Sequence, residues 1–258
     1  MLRAENISLS LGNHSVLNGV SLNLAPNTVT AIMGPNGAGK TSLLRVLTGE
    51  VQQNQGQVFL NNKELNQWPT QERARTLAVL PQSSTLNFPF TVLEVVLLGR
   101  IPHNTGHKRD KEIAMAALKQ VDADFMAARF YTELSGGEKQ RVQLARVLTQ
   151  IWEPINKVER VLFLDEPSSS LDLAHQQLLI DTVRSFSNQG LAIAMVMHDF
   201  TLTARCADQL IMLKDGQVAA CGNVDEVMQV EIIKTVFGVE VEIIYHPRSG
   251  LPVSIQCL

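Results

Sequence analysis

Gly34-Pro35-Asn36-Gly37-Ala38-Gly39-Lys40-Thr41 is a loop built to hold phosphate, and the rest of the chain is read outward from it. It fits the pattern G-x-x-x-x-G-K-[ST]. The apolar run Val29-Thr30-Ala31-Ile32-Met33 precedes it, and Ser42-Leu43-Leu44-Arg45-Val46-Leu47 follows with helical spacing, so the motif has its strand–loop–helix context. Glycines let successive N–H groups turn inward as an anion nest, and the following helix adds its positive dipole end. Lys40 can reach the outer phosphates, and the Thr41 hydroxyl can ligate Mg²⁺. Gly34, Pro35, Asn36, Gly37, Ala38, Gly39, Lys40, Thr41 and Ser42 are therefore the candidate nucleotide-binding residues.

Two further stretches carry chemistry. Val161-Leu162-Phe163-Leu164-Asp165-Glu166 is an apolar strand that delivers two acids at its C-terminal end. Such a run fits a strand buried on both faces, and ligands of open α/β sheets bind at strand C-termini. Asp165 can hold Mg²⁺ through bound water, and Glu166 is placed to orient or deprotonate an attacking water. A solvated acidic turn is the plainer alternative, and the phosphate loop argues against it. Leu134-Ser135-Gly136-Gly137-Glu138-Lys139-Gln140-Arg141 opens a helix. Ser135 and Glu138 have capping-box spacing. The two glycines weaken a first helical turn, which suits a helix whose bare N–H groups an anion must approach.

The remainder bounds the class. With 258 residues, the chain can build one large α/β core or a core with a subdomain. It is 45% hydrophobic and 18% charged, and its net charge of −3 offers no basic field for nucleic acid. Cys206, Cys221 and Cys257 are scattered without a C-x-x-C pair, as expected for free thiols in a reducing compartment. No apolar run approaches a membrane span and Met1–Asn6 has no signal-peptide core, so a soluble, cytosolic chain able to dock on a membrane protein is expected.

Strands are predicted at 7–11, 20–24, 29–33, 58–60, 77–80, 160–164, 191–197, 210–213, 218–221 and 239–245. Helices are predicted at 91–99, 110–120, 122–129 and 173–187, with Thr91, Asp110 and Asp122 as N-caps. An α/β sheet interrupted by a helical insertion of about 65 residues accounts for this order.

The chain resembles the ATP-binding subunits of ABC transporters. The phosphate loop, Gln82, the LSGGEKQR segment, the VLFLDE strand, Ser170-Leu171-Asp172 and His198 stand in that family's order and span most of the chain. The resemblance implies an α/β RecA-like P-loop NTPase core with an N-terminal antiparallel β subdomain. Residues 1–82 and 152–258 would form the core, and 83–151 the helical subdomain. It further implies ATP and Mg²⁺ as cofactors and a head-to-tail homodimer enclosing two ATPs. The dimer would sit on an integral-membrane permease at the cytoplasmic face of the inner membrane, served indirectly by a substrate-binding protein. Ser135, Gly136 and Gly137 would contact the γ-phosphate held by Lys40 and Thr41 of the other copy. Gln82 would sense Mg²⁺ and the water, and His198 would hydrogen-bond the γ-phosphate. One position departs: the family usually stacks an aromatic on adenine, where this chain has Leu11, leaving base contact to Leu11, His14 or Val16.

The segments Thr91–His103, Leu171–Gln176 and His198–Ala204 resemble importers of iron-siderophores, vitamin B12 and heme. Arg141 and Asp165 stand 24 residues apart, several more than is usual, and the extra segment Gln150–Lys157 resembles the heme-importer ATPases. A soluble ABC ATPase of iron–sulfur cluster assembly would share the size but not these segments. His103 and His107 sit in a polar turn and are not read as heme ligands. The segment Ser83–Phe90 places two aromatics in an otherwise polar loop, either anchoring the insert or receiving the permease.

Overall fold

The computed structural model describes residues 1–83, 86–155 and 158–256. Ser84 and Thr85 of the loop after Gln82, Asn156 and Lys157 of the extra segment, and Cys257 lie outside the described residues.

The chain opens on β1 (Leu2–Leu11) and β2 (His14–Leu24), passes through β3 (Thr28–Met33) and α1 (Lys40–Leu47), and returns to β4 (Gln55–Leu60) and β5 (Lys63–Glu64). After α2 (Thr70–Thr76) and β6 (Leu77–Leu80) come α3 (Val92–Leu97), α4 (His107–Gln120) and α5 (Gly136–Gln150). Strands and helices then alternate: β7 (Val161–Asp165), α6 (Leu173–Ser187), β8 (Ala192–Val196), α7 (Phe200–Cys206) and β9 (Gln209–Lys214). The chain ends with β10 (Gln217–Asn223), α8 (Val224–Val227), α9 (Val230–Phe237) and a hairpin of β11 (Val241–Tyr245) and β12 (Pro252–Gln256).

Six strands in the order β10-β9-β3-β8-β7-β6 form the central sheet, parallel except for the β9/β10 edge pair. Alternation along its strands sorts side chains into two cores. Val29, Ala31, Met33, Leu162, Leu164, Ile193 and Met195 face a helical layer that includes α3, α4, α5 and α6. Ile32, Val161, Phe163, Ala192, Ala194 and Val196 face α1 and the antiparallel sheet β2-β1-β4-β5. A sheet covered on both faces explains why these strands read as unbroken apolar runs. The N-terminal antiparallel sheet and the parallel core are thus as expected.

The helical insert differs from expectation in two places. Asp110 is not an N-cap: α4 starts earlier, after Gly106, and Asp110 lies in its first turn, accepting from Arg100 (2.9 Å) and Thr105 (2.6 Å). Residues 122–129 form no α-helix and Asp122 caps none. Asp122 has a left-handed backbone (φ 51°), and only a 3₁₀ turn at Asp124–Met126 follows. The N–H groups of Met126, Ala127 and Arg129 reach back three residues rather than four, and the last carbonyls of the stretch are tied to the start of α3. Leu93 N–H donates to Ala127 O (3.0 Å), and Val92 N–H donates to Arg129 O (2.9 Å). Thr91 pairs with Phe130, and Tyr131 N–H donates to Phe90 O (2.8 Å). Near the C-terminus, α9 occupies residues for which no element was predicted, and the strand begins at Val241 rather than 239.

The extra segment after α5 is built into the fold. Trp152 meets Phe186 edge-on (5.4 Å), and Glu153 bridges buried Arg100 (3.1 Å) and Arg109 (2.9 Å). The His103 ring bonds Gln150 O (2.8 Å), tying its turn to the end of α5.

Candidate nucleotide site

Parallel register brings the C-terminal ends of β3, β6, β7 and β8 to one edge of the sheet. Leu80 pairs with Leu164, Asp165 with Val196, and Ile32 with Val196. From that edge emerge the loop Gly34–Gly39, Gln82, Asp165 with Glu166, and His198.

The loop leads into α1 through Gly39, whose φ of 97° suits glycine. A Cβ there would stand 2.9 Å from Val16 O, so the loop and β2 pack too closely for any side chain. As N-cap, Gly39 offers α1 no side-chain acceptor, and no acid sits in the first turn. The leading N–H groups of α1 thus have no side-chain partner at its N-terminus, the end of a helix that attracts anions. Lys40 is 7% exposed, and its Nζ donates to Gly34 O (2.8 Å) and Pro35 O (2.9 Å). Burial pulls its pKa below the usual lysine value, against the pull of Glu166 and Asp165. A cleft of about 470 Å³ opens over the loop, walled by Leu11, His14 and Val16 on one side and by Thr41, Gln82 and Glu166 on the other.

Asp165 is 3% exposed. Burial, then the Glu166 charge, raise its pKa; the neighbouring Thr41 hydroxyl works in the opposite direction. Its Oδ1 is buried without a hydrogen-bond partner. Glu166 has a left-handed backbone (φ 50°), and its N–H donates to Val196 O (3.2 Å). Its Oε1 stands 2.6 Å from His198 Nε2. The sequence reading gave Glu166 and His198 separate duties; their direct pairing was not foreseen, since 32 residues separate them.

Ser135, Gly136 and Gly137 are not brought to Lys40. They lie at the start of α5, beside a second cleft of about 220 Å³ that shares no lining residue with the first. The capping box is present: Ser135 N–H donates to Glu138 Oε2 (2.7 Å), and Glu138 N–H donates to Ser135 Oγ (3.4 Å). Gly137 has a reason beyond access for an anion, because a Cβ there would lie 2.9 Å from Ser170 O. Asp172 caps α6, accepting from His175 N–H (2.9 Å).

The family described as ABC transporter matches residues 17–169. The hemin import ATP-binding protein HmuV of Pseudomonas fluorescens is 47% identical over 255 residues, covering 99% of both chains. The chain belongs to the ABC transporter family. Among solved structures, this ABC ATPase is similar to a metal-chelate type ABC transporter in an inward-facing conformation (TM-score 0.82, 23% identity, 100% of this chain and 97% of that one). It is also similar to a bacterial ABC transporter cassette solved as a dimer (TM-score 0.76, 25% identity, 87% and 99%). In this ABC ATPase the position expected to carry an aromatic holds Leu11, 56% exposed at the cleft wall. Among the described residues no helix is long and apolar enough to cross a membrane.

Proposed function

We propose that this chain is the ATP-hydrolysing subunit of an importer of hemin or a related iron chelate, working as a homodimer beneath a membrane permease. The observation that carries the chemistry is the meeting of Lys40, Thr41, Glu166 and Gln82 around one cleft, with Asp165 beside Thr41 and Gln82 and with His198 bonded to Glu166. The cargo rests on the full-length relatives named for hemin import. We assign residues 83–151 to the helical subdomain and 1–82 with 152–258 to the core.

The residues present fit Mg²⁺. Asp165 Oδ1 is a buried oxygen lacking a donor, beside the Thr41 hydroxyl. Among the described residues no group of three His, Cys, Asp or Glu could hold a metal, which suits an ion that takes its other oxygens from phosphate and water. Thr41 and Asp165 would hold it, with Gln82 nearby, and it would neutralise charge on the transferring phosphoryl group. The loop from Gly34 to Gly39, with Ala38, Lys40 and Ser42, binds the phosphates. Glu166 accepts the proton of the attacking water, whose oxygen bonds to the γ-phosphorus as ADP departs. His198 orients the Glu166 carboxylate and reaches toward the γ-phosphate.

Two separate clefts in one chain favour a composite site: Ser135, Gly136 and Gly137 of one copy close over ATP held by the other. The permease makes the subunit peripheral to the membrane, with a substrate-binding protein acting on the opposite side. In vesicles containing the chain with its permease, hemin on the side opposite the ATPase is expected to raise ATP hydrolysis severalfold, with Glu166→Gln silencing it. Stimulation by a siderophore or corrinoid instead of hemin would reassign the cargo, and no permease association at all would remove the transport reading.

A further inference from the structure

The turn at Ser135 contains an electrostatic conflict. Glu138 holds the turn in shape by accepting from Ser135 N–H (2.7 Å), and this bond, with that of the Ser135 hydroxyl, keeps its carboxyl below the usual carboxylate range. The turn is therefore shaped by a full negative charge, and it is the same turn that must receive a polyphosphate. An opposing cation is present. Arg129 Nη1 stands 3.2 Å from Glu138 Oε1, the oxygen other than the one that accepts from Ser135 N–H. The two carboxylate oxygens are divided between shaping the turn and meeting the guanidinium.

Arg129 is held there by its main chain. Its N–H donates to Met126 O (2.9 Å), and its carbonyl accepts from Val92 N–H at the start of α3 (2.9 Å). Its side chain is 45% exposed, so the ion pair adds little to folding. Its effect on an approaching anion is larger, because a charge a few ångströms from a phosphate in a closed interface acts through less water.

We propose that Arg129 is a positioning residue for the reaction: by pairing with Glu138 it cancels the charge of the cap, so that the Ser135–Gly137 turn attracts the triphosphate bound by a second copy of this chain. The inference rests on the composite-site reading above. A purely structural ion pair would change thermal stability and leave subunit closure alone.

The test uses the full-length chain, with ATP hydrolysis titrated against both ATP and protein concentration, a fluorescent ATP analogue reporting binding to the monomer, and thermal unfolding measured in parallel. Arg129→Gln is expected to leave monomer binding and the unfolding midpoint unchanged. It should raise the protein concentration for half-maximal hydrolysis by about tenfold, the size expected for one uncompensated charge at an interface. Arg129→Lys should retain most of the wild-type behaviour, and Arg129→Gln with Glu138→Gln should return to within about threefold, because an amide keeps the cap without the charge. Unchanged hydrolysis in Arg129→Gln, or a double variant no better than the single one, would overturn the proposal. Ser135→Arg is measured alongside. If it abolishes hydrolysis while Arg129→Gln does nothing, only the role of Arg129 falls. If it leaves hydrolysis intact, the composite site falls, and the proposal with it.

Discussion

Asp165 Oδ1 is a polar atom sealed from water with nothing to bond to. Such an atom costs about 1–3 kcal/mol, more when charged, and the neighbouring Glu166 charge adds to the penalty. Sites that bind charged ligands commonly trade folding stability for function. Asp165→Asn is expected to raise the unfolding free energy of the nucleotide-free chain by about 1 kcal/mol, seen as a higher midpoint in thermal unfolding. The same change should remove the Mg²⁺ dependence of hydrolysis together with hydrolysis itself. A lower midpoint would mean that the carboxylate is a structural partner of Thr41. Identities at this scale were legible in the chain: the phosphate loop and the Asp-Glu pair announce themselves by residue type and order. The Glu166–His198 pair was not, because it depends on β7 and β8 being sheet neighbours, and sequence separation says nothing about that.

At the scale of elements, α3, α5, α6 and α7 carry side-chain caps among the described residues, the last from Asp199, where α1 carries none. Thr91 with Glu94 closes α3, Ser135 with Glu138 closes α5, and Asp172 closes α6. Bonds from Thr91 and Ser135 hold the carboxyls of Glu94 and Glu138 below their usual values, and bonds from His175 do the same for Asp172. The sign follows by linkage: an acid whose pKa is depressed by folding stabilises the fold above its unfolded value and loses that contribution as pH falls through its folded value. Urea midpoints should therefore hold steady down to about pH 5 and decline progressively below about pH 4. Glu94→Gln combined with Asp172→Asn should flatten that decline; an equally steep one would place the acid sensitivity elsewhere. The T-x-x-E and S-x-x-E spacings made two of these helix starts readable. The start of α4 was missed because its first turn is polar and solvent-facing, so the apolar rhythm that marks a helix begins only near Ile113. The stretch after Asp122 has helical spacing, yet it lends its carbonyls to α3, a tertiary choice that local pattern does not encode.

For the whole molecule, a strand buried on both faces was readable from the apolar run at 161–164, whereas the antiparallel subdomain came from the family resemblance and the strand order from neither. For the proposed permease, the loop ahead of α3 offers exposed aromatics. Phe88 is 68% exposed and lies 6.1 Å from Phe90, so it is not an anchor of the core. Exposed aromatics of this kind often dominate interfaces, at about 2 kcal/mol or more each. Phe88→Ala is expected to weaken permease association by that order, measured by co-purification at graded dilution, while basal hydrolysis and thermal stability stay unchanged. A fall in stability with association intact would return Phe88 to a packing role.

The bonds joining Phe90 to Tyr131, and Val92 to Arg129, give that surface a mechanical meaning. They tie the chain just after Phe88 to the chain leading into Ser135. Under the proposed docking of a permease at Phe88, a shift there would reach the chain leading into α5 through these two bonds.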